Sequence, residues 1–167
     1  MVSRPKARTK YNYEIDKKKY QGLDFFYISL SSLEILDAYI KDVSQSSTLA
    51  PFDASLALDK NLNTFQHHAS TPPPNWWKVE FYSTVFIQTV KIINRLNCRF
   101  CPNRGNNIDV IATLVLGSQQ HDTICANTGP TEAEKTLDCY HFADEITLSG
   151  NQMFNIIEVY ILGKSLA

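Results

Sequence analysis

Between residues 77 and 162 the chain is a series of short β-prone runs punctuated by turn signals. Trp77-Lys78-Val79-Glu80-Phe81 alternates with period two. Val85 to Ile93 is rich in β-branched residues, with Gln88 and Lys91 as its polar breaks. Ile108 to Leu116, Glu145 to Leu148 and Phe154 to Leu162 supply three more runs. Thr71-Pro72-Pro73-Pro74-Asn75, just upstream, must be loop, because proline cannot donate to a central ladder. Such spacing predicts an all-β sandwich or barrel. No βαβ alternation appears, which disfavours a doubly wound nucleotide-binding fold.

At 167 residues and 44% hydrophobic content the chain suits one domain with a real core. No run of eighteen apolar residues exists, so no helical segment is expected to span a bilayer. The formal charge of −1 speaks against a general nucleic-acid binder, which needs a basic face. That average hides an asymmetry. Residues 1–22 carry net +5, from Arg4, Lys6, Arg8, Lys10, Lys17, Lys18 and Lys19 against Glu14 and Asp16, and leave −6 for the rest. Residues 1–22 are therefore read as a disordered tail, within a partly disordered basic extension over residues 1–41 that precedes a domain over 42–167. Within the extension, Phe25 to Leu30 reads as a strand, or joins Ser31–Ile40 in a helix capped by Ser31 or Ser32. The apolar stretch Leu23–Ile40 follows basic residues as a signal peptide would. Asp24, Glu34 and Asp37 interrupt it, and it lacks a small-residue cleavage site.

Nothing specifies an enzyme. There is no Gly-x-Ser-x-Gly elbow, no phosphate-cradling glycine loop and no His-Glu-x-x-His. Cys98-Arg99-Phe100-Cys101 has Cys-x-x-Cys spacing, yet Pro102 to Asn107 breaks the helix that a redox thiolate would need. Two readings of the four cysteines stay open. They form two disulfides, Cys98–Cys101 and Cys125–Cys139, in an oxidising compartment, or they bind zinc in a cytosolic protein. Arg95, Arg99 and Arg104 gather in ten loop-like residues, and arginine's rigid donor fork suits hydroxyl or carboxylate oxygens. Asp59 to Thr64 is an oxygen-rich turn of the sort that suits a hard cation.

In order, Ser44-Gln45-Ser46-Ser47, Ala57-Leu58-Asp59-Lys60-Asn61-Leu62-Asn63-Thr64, Asn75-Trp76-Trp77-Lys78-Val79-Glu80, Asn94-Arg95 with its cysteine pair and Arg104, and Ile157-Glu158-Val159-Tyr160 resemble the F-type lectins. The resemblance covers about residues 42–163. It implies a discoidin-like jelly-roll β-sandwich that binds terminal L-fucose on glycans or glycoproteins without catalysis, with innate recognition as one setting. It implies a secreted protein, no nucleic-acid partner and, as in many lectins, a homo-oligomer that gains avidity. The spacing from His68 to Arg95 matches the family's sugar motif. His68, Arg95 and Arg104 would then donate to the sugar, with Cys98, Cys101 and Phe100 offering an apolar platform. A neutral sugar needs several such groups, since each bond nets only about 1 kcal/mol against water.

Two departures stand out. The family's Arg-x-Asp is Arg95-Leu96-Asn97 here, and Arg99-Phe100 separates cysteines that are adjacent in the family. Cys125–Cys139 matches a family bridge. The resemblance also implies a Ca²⁺ site from the side chains of Asp59 and Glu158 and main-chain oxygens near Leu56, Asn61 and Ile157. The alternative reading keeps the sandwich but changes the ligand to another glycan, an anionic lipid surface or a protein.

Overall fold

The computed structural model describes residues 33–69, 72–99 and 101–166. The chain divides into two units, Met1–Ser31 and Ser32–Ala167, and every element named below lies in the second. Its strands are β1 (Glu34–Ile35), β2 (Ile40–Gln45), β3 (Gln66–His67), β4 (Asn75–Asn94), β5 (Asp109–Leu116), β6 (Gln119–Asn127), β7 (Glu134–Gly150) and β8 (Asn155–Ser165). Three 3₁₀ turns, Leu36–Tyr39, Ala54–Ala57 and Cys101–Asn103, are the helical elements among the described residues. All pairings are antiparallel, in the order β1-β8-β4-β7-β5-β6, with β2 added to β4 and β3 to β8.

The 20-residue β4 makes this one network serve two layers. It joins the two runs expected at 77–81 and 85–93. The register breaks between Glu80 and Val85. The first half of β4 pairs with β2 and with the end of β7, and the second half with β8 and the start of β7. In the first half Trp77, Val79 and Phe81 are buried, followed by Val85 and Ile87. Beyond Thr89 the buried set is Val90, Ile92 and Asn94. A second register shift between Ile87 and Thr89 changes the parity, because one extra residue turns every later side chain to the opposite face.

Between the layers these side chains meet Ile108, Val110, Ala143, Ile146, Leu148, Phe154, Ile156, Val159 and Ile161. Each fully buried aliphatic side chain contributes about 1.5–3 kcal/mol. Trp77 is fully buried and donates its Nε1–H to the Ala54 carbonyl at 2.9 Å, so no polar atom is stranded. The sandwich expected from sequence is the fold observed. Cys125 of β6 is bonded to Cys139 of β7, which closes a loop that chain entropy values at roughly 3 kcal/mol.

Several boundaries move. β1 pairs with β8, Glu34 opposite Gly163, and Leu36 is fully buried, so the domain begins ahead of the expected limit at residue 42. Leu36–Tyr39 is a single 3₁₀ turn, not part of a helix reaching Ile40, because flanking strands capture the backbone groups on both sides. The expectations for residues 1–32 otherwise lie outside the described residues, as does Phe100. β6 was not expected, and β7 runs far beyond the expected Glu145–Leu148. No helix among the described residues is long and apolar enough to cross a membrane.

Candidate functional site

Three loops meet at one end of the sandwich: the stretch from Ser46 to Ala69, the stretch from Arg95 to Asn107, and residues 151–154 leading into β8. Gln45 pins the first of them. Its Nε2 donates to Thr48 Oγ1 at 2.9 Å and to the Phe52 carbonyl at 3.2 Å. Leu49 N donates to the His67 carbonyl, and His67 N to the Phe52 carbonyl, so the loop folds back against β3. That closure stacks Phe52 on Phe65, with ring centroids 4.4 Å apart.

The adjacent histidines have opposite fates. His68 is completely buried. Its Nδ1 lies 2.9 Å from the Phe154 carbonyl and its Nε2 2.9 Å from the Trp76 carbonyl, and its ring meets Phe154 edge-on. It clamps the start of β4 to the chain entering β8, and the structure does not bring it to the arginines. His67 takes that place. Its Nε2 is 2.7 Å from Arg104 Nη1. Arginine can only donate, so Nε2 is the acceptor, and Nδ1 carries the proton and donates to the His68 carbonyl at 2.6 Å. Burial, and then the nearby arginine charges, hold the His67 ring below its usual proton affinity. It is thus a neutral acceptor at pH 7.

The arginines come from the loop after β4. Arg95 lays its guanidinium over the Phe65 ring, 3.7 Å from the centroid, and donates Nε–H to Asn97 Oδ1 at 2.9 Å. Cys98 and Cys101 are bonded to each other, so the disulfide reading holds over zinc. That bridge tightens the turn in which Arg104 N donates to the Cys101 carbonyl. Cys101 is buried and accepts a hydrogen bond from Asn155 Nδ2 of β8 at 3.3 Å. Gly105 then packs so tightly that a Cβ there would lie 2.8 Å from Asn94 Oδ1, which fixes where Arg104 leaves the backbone. Arg99 is exposed at the rim.

The structure therefore brings Arg95, Arg104 and the Cys98–Cys101 bridge to one end and adds Phe52, Phe65 and His67. Sequence spacing favoured His68. The side-chain parity of a two-residue strand carries no periodic signal, and that parity is what selects His67.

A second site lies at Glu158. Its side chain is 0% exposed, and neither oxygen makes a well-formed hydrogen bond, the Lys60 main-chain N–H acting on its charge from a poorer geometry. Burial pushes its carboxyl up to about 6, against the pull of Lys60. The register breaks beside it: Ile93 faces Glu158 and Asn94 faces Ile156, so Ile157 bulges without a partner on β4. Asp59 anchors the neighbouring turn, accepting from Asn61 N at 2.9 Å and from Thr64 Oγ1 at 2.7 Å. The Asn61 carbonyl accepts from Thr64 N and Oγ1. Leu56 belongs to the 3₁₀ turn before that loop. Lys60, with φ of 60°, reaches over the Tyr160 ring, 2.8 Å from Asp37 Oδ2 and 3.8 Å from Glu158 Oε1. No group of three His, Cys, Asp or Glu gathers for a metal among the described residues. Still, a buried carboxylate on whose charge Asp59 and Asp37 act is donor chemistry that fits a hard cation, with Lys60 as the competing positive charge.

The sequence matches no protein-family model and no curated protein. Solved structures share its fold. A fucolectin from striped bass (Morone saxatilis) serum superposes with a TM-score of 0.68 at 22% identity, over 80% of this chain and 48% of that one. The chain thus spans about half the length of the bass lectin. A fucose-binding module from Streptococcus pneumoniae gives 0.61 at 23% identity, over 76% and 94%. A family 32 carbohydrate-binding module from C. perfringens, in complex with galactose, gives 0.58 at 21%, over 72% and 92%. The discoidin-like sandwich is the fold common to all of them.

Proposed function

We propose that the chain is a non-catalytic, F-type lectin-like module that binds terminal L-fucose on glycans at the cleft between His67, Arg95 and Arg104. The observation that carries this reading is the Arg104–His67 bond beside an arginine stacked on Phe65. It fixes two donor forks beside the Cys98–Cys101 disulfide, whose half-buried Cys98 is the apolar surface left for a sugar, since Phe52 and Arg95 take the two faces of Phe65. The bass and pneumococcal proteins, described as a fucolectin and a fucose-binding module, support the choice of sugar. The two disulfides support an oxidising, extracellular setting.

Calcium belongs to this reading as a structural ion. Glu158, Asp59 and the main-chain oxygens of Leu56, Asn61 and Ile157 would hold it. Bound there, it would cross-link the Asp59 turn to β8 and keep the loop that leads to His67 in place. The chain's own residues make every contact to the sugar.

Titration of the calcium-loaded protein with fucosylated oligosaccharides tests the reading. Binding by wild type and its loss in Arg95→Ala support it. Silence of the folded wild type toward every fucoside sinks it.

A further inference from the structure

The arginine cleft carries two guanidinium charges and no carboxylate. The ion pairs of Lys41, Lys60, Lys78, Lys91 and Lys135 lie elsewhere, on Glu80, Asp37, Glu158, Glu145, Glu134 and Glu132. Arg95 is oriented by a neutral amide oxygen of Asn97, and Arg104 by the neutral ring nitrogen of His67. Burial first, and then the nearby charge of Arg104, lowers the proton affinity of Arg95. Both side chains are half-buried. Neutral acceptors hold the two forks without neutralising them, and each uses a single N–H in doing so, while a guanidinium has five. Like charges partly removed from water, with their remaining donors free for a ligand, form a site that is electrostatically incomplete until an anion arrives.

We propose that this cleft prefers a saccharide bearing an anionic group, a sulfate ester or a carboxylate, over a neutral sugar. The proposal rests on the reading of the cleft as a sugar site and names the class of sugar. Asn97 is the residue that decides it. An aspartate there would give Arg95 an internal counter-ion at the 2.9 Å now spanned by the amide oxygen. Planar, fixed guanidinium groups match the oxygen geometry of carboxylate and sulfate alike.

Calorimetric titration of the full chain with methyl fucoside, methyl fucoside sulfate and methyl glucuronide, at low and at physiological salt, tests this. At least one acidic sugar should bind tenfold or more tighter than methyl fucoside, and the margin should shrink as salt screens it. The sulfate and carboxylate arms identify the anion. Asn97→Asp should lower the ratio of acidic-ligand to methyl fucoside affinity about tenfold. Methyl fucoside binding as tightly as both acidic sugars, or an equal loss of both kinds of ligand in Asn97→Asp, overturns the inference and leaves the fucose reading standing. Acidic sugars bound without any response to methyl fucoside uphold the inference and overturn the fucose reading. No sugar bound by the folded protein, or binding only to phosphatidylserine vesicles, overturns both.

Discussion

The arginine cleft and the Glu158 pocket are charge-unbalanced in opposite senses, and both are built against β8. In the cleft two half-buried cations lack an anion and are steadied by neutral acceptors. In the pocket one fully buried anion has its charge eased only by Lys60, through the main-chain N–H and an ammonium 3.8 Å away. The difference in burial decides what each can do. A half-buried charge retains some water, so it can exchange that water for a ligand. A fully buried carboxylate cannot rehydrate and must be met by a resident cation. One region is thus suited to recognition and the other to holding the fold.

Removal of His68, which is packed behind His67 against Phe154, should have the largest effect. His68→Ala deletes a fully buried ring and its polar contacts to the Phe154 and Trp76 carbonyls, at a cost of about 3–5 kcal/mol. A fall in melting temperature of many degrees would show it. His67→Ala should cost only about 1 kcal/mol while weakening sugar binding about tenfold. Equal destabilisation by the two would break the distinction drawn between neighbouring residues.

Arg104→Ala comes next. It should weaken sugar binding about 100-fold, since hydrogen bonds from a charged donor are worth about 1.5–3 kcal/mol, and leave the melting temperature within a degree or two. A stable variant with full affinity would remove the cleft from the binding site.

Acid should produce a smaller, graded effect. The His67 ring is held below its usual 6.5, by burial first. Its stability contribution is therefore complete above pH 6.5 and is lost as pH falls from there to the lowered native value, because the unfolded chain takes the proton first. Protonation also removes the acceptor that orients Arg104. Sugar affinity in wild type should be about halved at that native value and fall roughly tenfold one pH unit below it, while staying flat in His67→Gln, which keeps an acceptor without a titrating ring. An identical pH profile in the two proteins would assign the effect elsewhere.

The smallest effect concerns the pocket. Lys60→Met removes the competing ammonium, so Ca²⁺ should raise the melting temperature more than in wild type, with affinity gained by about fivefold. Glu158→Gln should erase the response to Ca²⁺ altogether. A melting temperature indifferent to Ca²⁺ in Lys60→Met would leave the pocket to lysine alone.

Much of the fold was legible because it is written in alternation. Trp77, Val79 and Phe81 announce a half-buried strand without help from the rest of the chain. β6 was invisible for the converse reason. Gln119-Gln120-His121-Asp122-Thr123 is almost wholly exposed and earns its strand conformation from pairing with β5, which no local pattern reports. Resemblance supplied the loop containing Arg95, Arg104 and the cysteine pair, and the structure gathers those residues. It could not supply the parity of β3 or the stack of Phe52 on Phe65.

By itself the sequence determined the β class, the apolar core positions, the two arginines and the asparagine that leaves them without a counter-ion. These are properties of residue type and of spacing within one element. Only the tertiary structure decided that His67 and not His68 meets Arg104, that Glu158 is sealed from water, and that the register shift in β4 turns Val90 and Ile92 inward. Each depends on which side of a strand a side chain falls, and pairing with distant strands sets that side.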